Sequence, residues 1–185
     1  YFRLGVEHIL FGVDHLLFVM GLVLIVRRPW RLTKTLTAFT AAHSITLALA
    51  ALGFVHVPPA PVEATIALSI AFLARELARA ERGETGITVR YPWVVAFTFG
   101  LLHGFGFAGA LAEVGLPQHD IPLALFLFNL GVEAGQLVFV AALLLLRWAI
   151  GRLFPRISPW MASLPTYGIG TAAAFWLVQR LAVIL

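Results

Sequence analysis

Two acid–histidine pairs lie seven residues apart near the start of the chain. Glu7 and His8 belong to a GVEHILF heptad, which is followed at once by a GVDHLLF heptad that holds Asp14 and His15. Seven residues are nearly two helical turns, so the two histidines are predicted to share a helix face about 10 Å apart. Glycines that open both heptads are typical of a close packing seam. A seam alone does not explain four ionisable residues in apolar surroundings.

Polar residues also interrupt the apolar segments further along the chain. They are His43 and Ser44, then Glu63, then His103, and finally Asn129, Glu133 and Gln136. The last three have the spacing i, i+4 and i+7, which predicts a single helix face. Ser44 most simply hydrogen-bonds to the backbone of its own helix. Acidic residues of a polar stretch, such as Glu76 and Glu84, are expected to be solvated.

Imidazole and carboxylate groups together suit a divalent transition metal such as Ni²⁺, Co²⁺, Zn²⁺ or Fe²⁺. The chain has no cysteine and two methionines, which argues against Cu(I) and iron–sulfur centres. A bis-histidine haem site ranks lower, because clustered carboxylates would be awkward around a porphyrin. A proton relay through aspartate, histidine and glutamate remains an alternative and is compatible with ion transport. No nucleotide-binding motif is present, so no nucleotide cofactor is expected.

The elements that must position these groups follow from composition. Hydrophobic residues make up 61% of the 185 residues and charged residues only 12%. A soluble domain has about a quarter charged residues, so a soluble enzyme is excluded. The composition predicts an all-α integral membrane protein with the lipid bilayer as its surroundings. The net charge of +4 is attributed to basic loops and not to a nucleic-acid partner.

Apolar runs of about 20 residues predict one transmembrane domain over residues 1–185, with six spans. The predicted spans are 4–26, 36–54, 62–80, 92–113, 121–146 and 163–185. A short turn is predicted between 117 and 122, and a longer link between 148 and 165.

The distribution of basic residues predicts the orientation of the spans. Eleven of the 13 Lys and Arg residues fall in the first, third and fifth links, and only Arg3 and Arg180 fall on the other side. Basic loops face the cytoplasm, so both termini are predicted to be extracytoplasmic, in a bacterial inner membrane. An outside N-terminus implies an upstream signal peptide and an optional extracytoplasmic domain.

Depth within the predicted spans divides the polar residues into two groups. Asp14, His15, His43, His103 and Glu133 fall within about 3 Å of the predicted midplane. Glu7, His8, Glu63 and Asn129 fall in the outer third. An ionisable residue inside a membrane costs free energy, and for that reason its presence there indicates a functional role. The pattern therefore predicts a midplane metal site with an outer vestibule.

Five segments carry a resemblance to a known family. They are HILFGVDHLLF at 8–18, FTAAHSITL at 39–47, VEATIALS at 62–69, FGLLHGFGFA at 99–108 and FNLGVEAGQ at 128–136. The sequence resembles the HupE/UreJ family of membrane proteins, and most closely the branch with an extra extracytoplasmic N-terminal domain. That family is associated with nickel uptake for hydrogenase and urease maturation. The resemblance implies His8, Asp14 and His15 as metal-handling residues.

Two classes of function fit these residues best, and a non-catalytic metal sensor is a distant third. The first is a permease for Ni²⁺ or a similar ion. Glu7, His8 and Glu63 would collect the ion, the midplane group would bind it, and Asn129 and Gln136 would supply neutral oxygens.

The second class is an intramembrane zinc hydrolase with three histidine ligands. Asp14 or Glu133 would be its general base, and Ser44 would hydrogen-bond the substrate. The resemblance favours transport.

Overall fold

A computed structural model describes residues 1–107, 121–154 and 158–184 of the chain. The described residues form nine α-helices and no β-strand, which confirms the predicted all-α fold. The helices are α1 (Phe2–Phe11), α2 (Val13–Ile25), α3 (Pro29–Ala51), α4 (Pro59–Glu81), α5 (Ile87–Arg90), α6 (Pro92–Gly106), α7 (Ile121–Leu153), α8 (Pro159–Ala162) and α9 (Leu164–Ile184).

Local sequence accounts for several of these boundaries. Proline occupies the first helical position of α3, α4 and α6, where its missing N–H costs nothing. Gly53 and Gly83 follow α3 and α4 in the left-handed conformation, with φ of 78° and 80°, and so end those helices. The predicted link from 148 to 165 is too long, because α7 continues to Leu153. Residues 108–113 of the fourth predicted span and most of the predicted turn at 117–122 lie outside the described residues.

Two helices among the described residues, α7 and α9, are long and apolar enough to cross a membrane. The pair α1 and α2 would be a third span if its two bent parts count as one. Helices α3 and α4 have 23 residues each, which is long enough, but their polar residues lower their mean hydropathy. Helix α6 is apolar but has only 15 described residues. The structure thus agrees with a helical membrane protein, while the count of six spans stays a prediction.

The first predicted span is broken into two helices. Helices α1 and α2 meet at Gly12 with a bend of 75°. The Gly12 N–H still donates to the His8 carbonyl at 2.9 Å, and the Gly12 carbonyl accepts from the Leu16 N–H at 3.0 Å. The prediction of one continuous helix over 4–26 is therefore wrong, and so is the separation of about 10 Å between the two histidines.

Glycines allow two pairs of helices to pack with their backbones in contact. A methyl group at Gly5 on α1 would overlap the Phe128 carbonyl on α7, and one at Gly131 on α7 would overlap the Phe2 carbonyl. A methyl group at Gly104 on α6 would likewise overlap the His43 carbonyl on α3. Small residues that permit such approach are the usual means of helix association in membranes. These contacts bring α1 to α7, and α3 to α6.

The link between α4 and α6 is anchored on a buried carboxylate. Glu76 is 1% exposed, accepts from the Thr88 backbone N–H at 2.9 Å, and pairs with Arg79 at 3.4 Å. The expectation that Glu76 is solvated is wrong, because the short helix α5 folds over it. Glu84 is largely exposed, and hydrogen bonds from Arg79 and Arg82 lower the pKa of its carboxyl group.

Candidate metal centre

Three histidines from three helices converge inside the helix bundle. His8 lies near the end of α1, His15 in the first turn of α2, and His43 in the middle of α3. One ring nitrogen from each lies within 4.8 Å of the other two. The ring centroids of His8 and His15 are 4.6 Å apart, and each is 6.0 Å from that of His43. We refer to these three residues as the histidine cluster.

The cluster is somewhat wider than a metal-bound set. Nitrogens that ligate one metal at about 2.1 Å lie roughly 3 to 3.5 Å apart. A pair of cluster nitrogens 4.8 Å apart must therefore close by about 1.3 to 1.8 Å to share an ion. Rotation of the side chains or a small shift of one helix would accomplish this.

The histidines present unpartnered nitrogens. Nε2 of His8, His15 and His43 is buried and has no hydrogen-bond partner among the described residues. Buried polar atoms are hydrogen-bonded in the great majority of cases, because an unpaired one costs free energy. Three such nitrogens in one cluster are the arrangement that a bound cation would satisfy.

Asn129 on α7 sets the orientation of His43. The Asn129 amide nitrogen donates to the Leu125 carbonyl at 2.8 Å, which turns its Oδ1 toward His43 Nδ1 at 3.3 Å. His43 Nδ1 must then carry the proton and donate it. The lone pair of the imidazole is left on Nε2, the unpartnered atom, so His43 is held in a ligand-ready form.

Ser69 on α4 does the same for a fourth histidine. Its hydroxyl donates to the Ile66 carbonyl at 2.6 Å, so at the 3.0 Å contact with His103 it accepts from Nε2–H. His103 Nδ1 then carries the lone pair, and it too is buried without a partner in the described structure. The His103 ring lies 5.0 Å from that of His15. Each of His43 and His103 is thus within 6.0 Å of His15, as the predicted convergence of these three requires.

Aromatic rings enclose the histidines on two sides. Phe107 and Phe128 stack on each other at 4.9 Å, and Phe107 lies 4.1 Å from the His8 ring. On the His103 side, the Phe39 ring lies 5.2 Å from the His103 ring and 6.1 Å from that of His43. The histidine rings therefore have aromatic neighbours on two sides.

A seam of polar contacts joins α3 to α7 beside the cluster. The Gln136 Oε1 accepts from the Thr40 hydroxyl at 3.2 Å, and the Glu133 carboxylate accepts from the Thr37 hydroxyl at 2.8 Å. The face predicted for Asn129, Glu133 and Gln136 is thus used to bind α3. Glu133 is half-buried and is not part of the histidine cluster.

The other predicted carboxylates lie apart from the cluster. Asp14 pairs with Arg180 of α9 at 2.8 Å, and Glu63 lies 3.7 Å from the same guanidinium. Glu7 pairs with the exposed Arg3 at 2.7 Å. The structure thus places the histidines together and the acids around them. A role of Asp14, Glu133, Glu7 or Glu63 in metal binding stays a prediction.

Ser44 makes a local contact. Its hydroxyl donates to the Thr40 carbonyl of the same helix at 2.6 Å. This is the backbone contact expected of a serine inside a helix.

The division into a midplane site and an outer vestibule does not describe the histidines. His8 was assigned to the vestibule, yet its ring is nearer to His15 than that of His43 is. The bend at Gly12 turns the end of α1 over the start of α2, so both histidines belong to one cluster.

Comparison with known proteins agrees with this picture. A family model described as HupE / UreJ protein matches residues 1–180, which is nearly the whole chain. The chain belongs to the HupE/UreJ family. Members of the HupE/UreJ family are membrane proteins associated with nickel and cobalt transport. No curated protein and no solved structure gives a significant match.

Sequence reasoning missed the contacts of two residues, Ser69 and Arg180. Ser69 lies in one of the segments that carry the family resemblance, but its contact with His103 does not follow from the sequence pattern. The charge count places Arg180 on the extracytoplasmic side. In the structure its side chain is only 19% exposed and forms an ion pair with Asp14. An arginine inside an apolar segment is itself a signal, because such a charge needs a partner in the membrane.

Proposed function

We propose that this HupE/UreJ protein is a membrane permease for a divalent transition metal ion, with Ni²⁺ as the first candidate. The observation that carries the proposal is the histidine cluster, in which three helices each supply an unpartnered imidazole nitrogen. Neutral imidazoles suit Ni²⁺, Co²⁺ and Zn²⁺. Membership in a family associated with nickel and cobalt transport supports the same conclusion.

The geometry of the cluster suits transient binding. An ion in transit must be held well enough to enter and loosely enough to leave. The cluster nitrogens come from α1, α2 and α3 and lie up to 4.8 Å apart, so closing on an ion requires relative movement of helices or side chains. Part of the binding free energy would be spent on that movement, which favours release on reopening.

The intramembrane hydrolase is not favoured. A hydrolase needs a carboxylate in reach of a metal-bound water as general base. The two carboxylates predicted for that role have other partners: Asp14 pairs with Arg180, and Glu133 accepts from Thr37. The comparisons likewise favour transport.

The proposed permease has six spans with both termini outside, in a bacterial inner membrane. The bent pair α1 and α2 forms the first span, and α3, α4, α6, α7 and α9 form the others. Reporter fusions after Arg31 and after Arg82 test the orientation, because both sites lie in predicted cytoplasmic links. An N-terminus on the cytoplasmic side would contradict it.

Uptake into proteoliposomes tests the transport itself. Purified protein is reconstituted into vesicles that contain a metal-sensitive dye, and Ni²⁺, Co²⁺ or Zn²⁺ is added outside. We expect uptake by the wild type and none by His15→Ala above empty vesicles. Tight metal binding without any uptake, under an imposed ion gradient as well, would overturn the permease in favour of a metal-binding protein that does not transport.

A further inference from the structure

Arg180 of α9 connects three helices through its guanidinium group. Nη2 donates to the Asp14 carboxylate on α2 at 2.8 Å, and Nη1 donates to the Glu63 backbone carbonyl on α4 at 2.9 Å. Nε lies 3.7 Å from the Glu63 carboxylate. The Arg180 side chain is 19% exposed and the Asp14 side chain 23%. One cation is therefore shared between two carboxylates, with its hydrogen bond to Asp14.

The ion pair between Arg180 and Asp14 matters because Asp14 is next to a histidine of the cluster in the sequence. Asp14 directly precedes His15, and the histidine cluster contains no carboxylate. Three neutral imidazoles leave the charge of a divalent ion uncompensated, and uncompensated charge is costly in a membrane. Two anions adjoin the cluster in sequence: Glu7, which pairs with the exposed Arg3, and Asp14, which pairs with the more buried Arg180.

The surroundings of Arg180 leave it an alternative partner. Glu63 is 53% exposed and lies on a cleft of about 300 Å³ that is also lined by Ala60, Trp176, Gln179, Arg180 and Val183. The guanidinium lies 5.8 Å from the Trp176 ring centroid, on this same cleft. A shift toward Glu63 would shorten the existing 3.7 Å ion pair to hydrogen-bond length, so Arg180 would not be left unpaired. The planar group with five donors can hold one carboxylate or both.

We propose that Arg180 is a positioning residue that controls the charge at the metal site. In the ion-free state it holds Asp14. When a divalent ion enters the histidine cluster, Arg180 moves fully to Glu63, and the Asp14 carboxylate balances the charge of the bound ion. This inference rests on the proposed function and adds a coupling between ion binding and the last helix.

A double-mutant cycle tests the proposal. Ni²⁺ binding to purified protein in detergent is measured by calorimetry for the wild type, Arg180→Gln, Asp14→Asn and the double variant. We expect Arg180→Gln to tighten binding roughly fivefold or more, because it removes the competitor for Asp14. In the Asp14→Asn background, Arg180→Gln should have no effect on Kd. Glu63→Gln should weaken binding by a similar factor, because Arg180 then lacks its second partner.

The cycle separates positioning from a general charge effect. If Arg180 acted only by repelling the ion through space, its removal would tighten binding equally with or without Asp14, and the proposal would be overturned. Arg3→Gln is the matched control, because Arg3 pairs with Glu7 on the exposed surface and should leave Kd unchanged. Should Arg180→Gln fail to fold, Arg180→Lys keeps the charge but loses the planar fork, and tightening in the same direction is expected.

The remaining outcomes also decide the matter. If wild-type protein binds neither Ni²⁺, Co²⁺ nor Zn²⁺, the proposed function fails and this inference fails with it. If the wild type binds Ni²⁺ and the folded Arg180→Gln variant binds it with the same or a larger Kd, only the role of Arg180 is overturned. The ion pair would then be a structural link between α2 and α9.

Discussion

The rings of His8 and His15 lie 4.6 Å apart, although an unbroken helix would separate residues seven apart by about 10 Å. The difference comes from the 75° bend at Gly12. The bend places the C-terminal end of α1 and the first turn of α2 around one point, so a repeated heptad supplies two histidines to one cluster.

Loss of either histidine should therefore have the same consequence. We expect His8→Ala and His15→Ala each to weaken Ni²⁺ binding by at least about a hundredfold, the upper end of what loss of an outer-shell partner costs. Calorimetry in detergent measures both Kd values. His56→Ala is the control, because His56 is exposed in the link between α3 and α4. A nearly normal Kd for His8→Ala alone would mean that His8 serves entry only.

The bend itself should be sensitive to one methyl group. A Cβ at residue 12 would lie 2.5 Å from the His8 carbonyl oxygen and 3.0 Å from His15 Nδ1. We expect Gly12→Ala to cost about 1 to 3 kcal/mol of stability and to lower metal affinity at least tenfold. Gly168→Ala is the matched change in α9, where a Cβ would have no atom of the described residues within 4 Å. Equal melting temperatures and Kd values for the two variants would contradict the role of Gly12.

Asn129 should matter through His43 alone. Asn129→Leu removes the acceptor for His43 Nδ1–H, and we expect a roughly tenfold to hundredfold weaker Kd. Ser44→Ala should leave Kd unchanged, because the Ser44 hydroxyl donates to a carbonyl of its own helix. The reverse ranking of these two variants in calorimetry would show that Asn129 does not orient a ligand.

Ser69 tests whether the fourth histidine belongs to the site. If His103 ligates through Nδ1, Ser69→Ala should weaken binding about tenfold, because His103 loses the acceptor that fixes its tautomer. Thr65→Val on the same helix removes a hydroxyl whose one hydrogen bond among the described residues is to the Val62 carbonyl, and it should have no effect. Binding that is insensitive to both Ser69→Ala and His103→Ala would limit the ligand set to the other three histidines.

Residue type and spacing were sufficient to predict helices and the approach of His15, His43 and His103, but not the approach of His8. His15, His43 and His103 share one predicted depth, and depth is a property that sequence carries directly in a membrane protein. The bend at Gly12 was not predictable in the same way. Glycine permits a break without requiring one, and local sequence does not show how closely α1 packs on α7 through Gly5 and Gly131.

The partners of the acidic residues were the part that sequence reasoning could not supply. Asp14 and Arg180 are 166 positions apart, and nothing in local spacing joins them. Glu133 has the right depth for a ligand, but its contact with Thr37 depends on which faces of α3 and α7 meet. Depth along the membrane normal is one of the three coordinates that define the position of a side chain. Metal ligation depends on all three.

The stacked rings of Phe107 and Phe128 beside His8 have a consequence for which ions can arrive. A hydrated cation that passes these apolar surfaces must give up part of its hydration shell and recover that cost from nitrogen ligands. Mg²⁺ dehydrates reluctantly and prefers oxygen, so it gains little from imidazole. Ni²⁺ and Co²⁺ gain more from nitrogen. The aromatic walls would thus act as a filter against the abundant hard cations, through the cost of dehydration instead of the width of an opening.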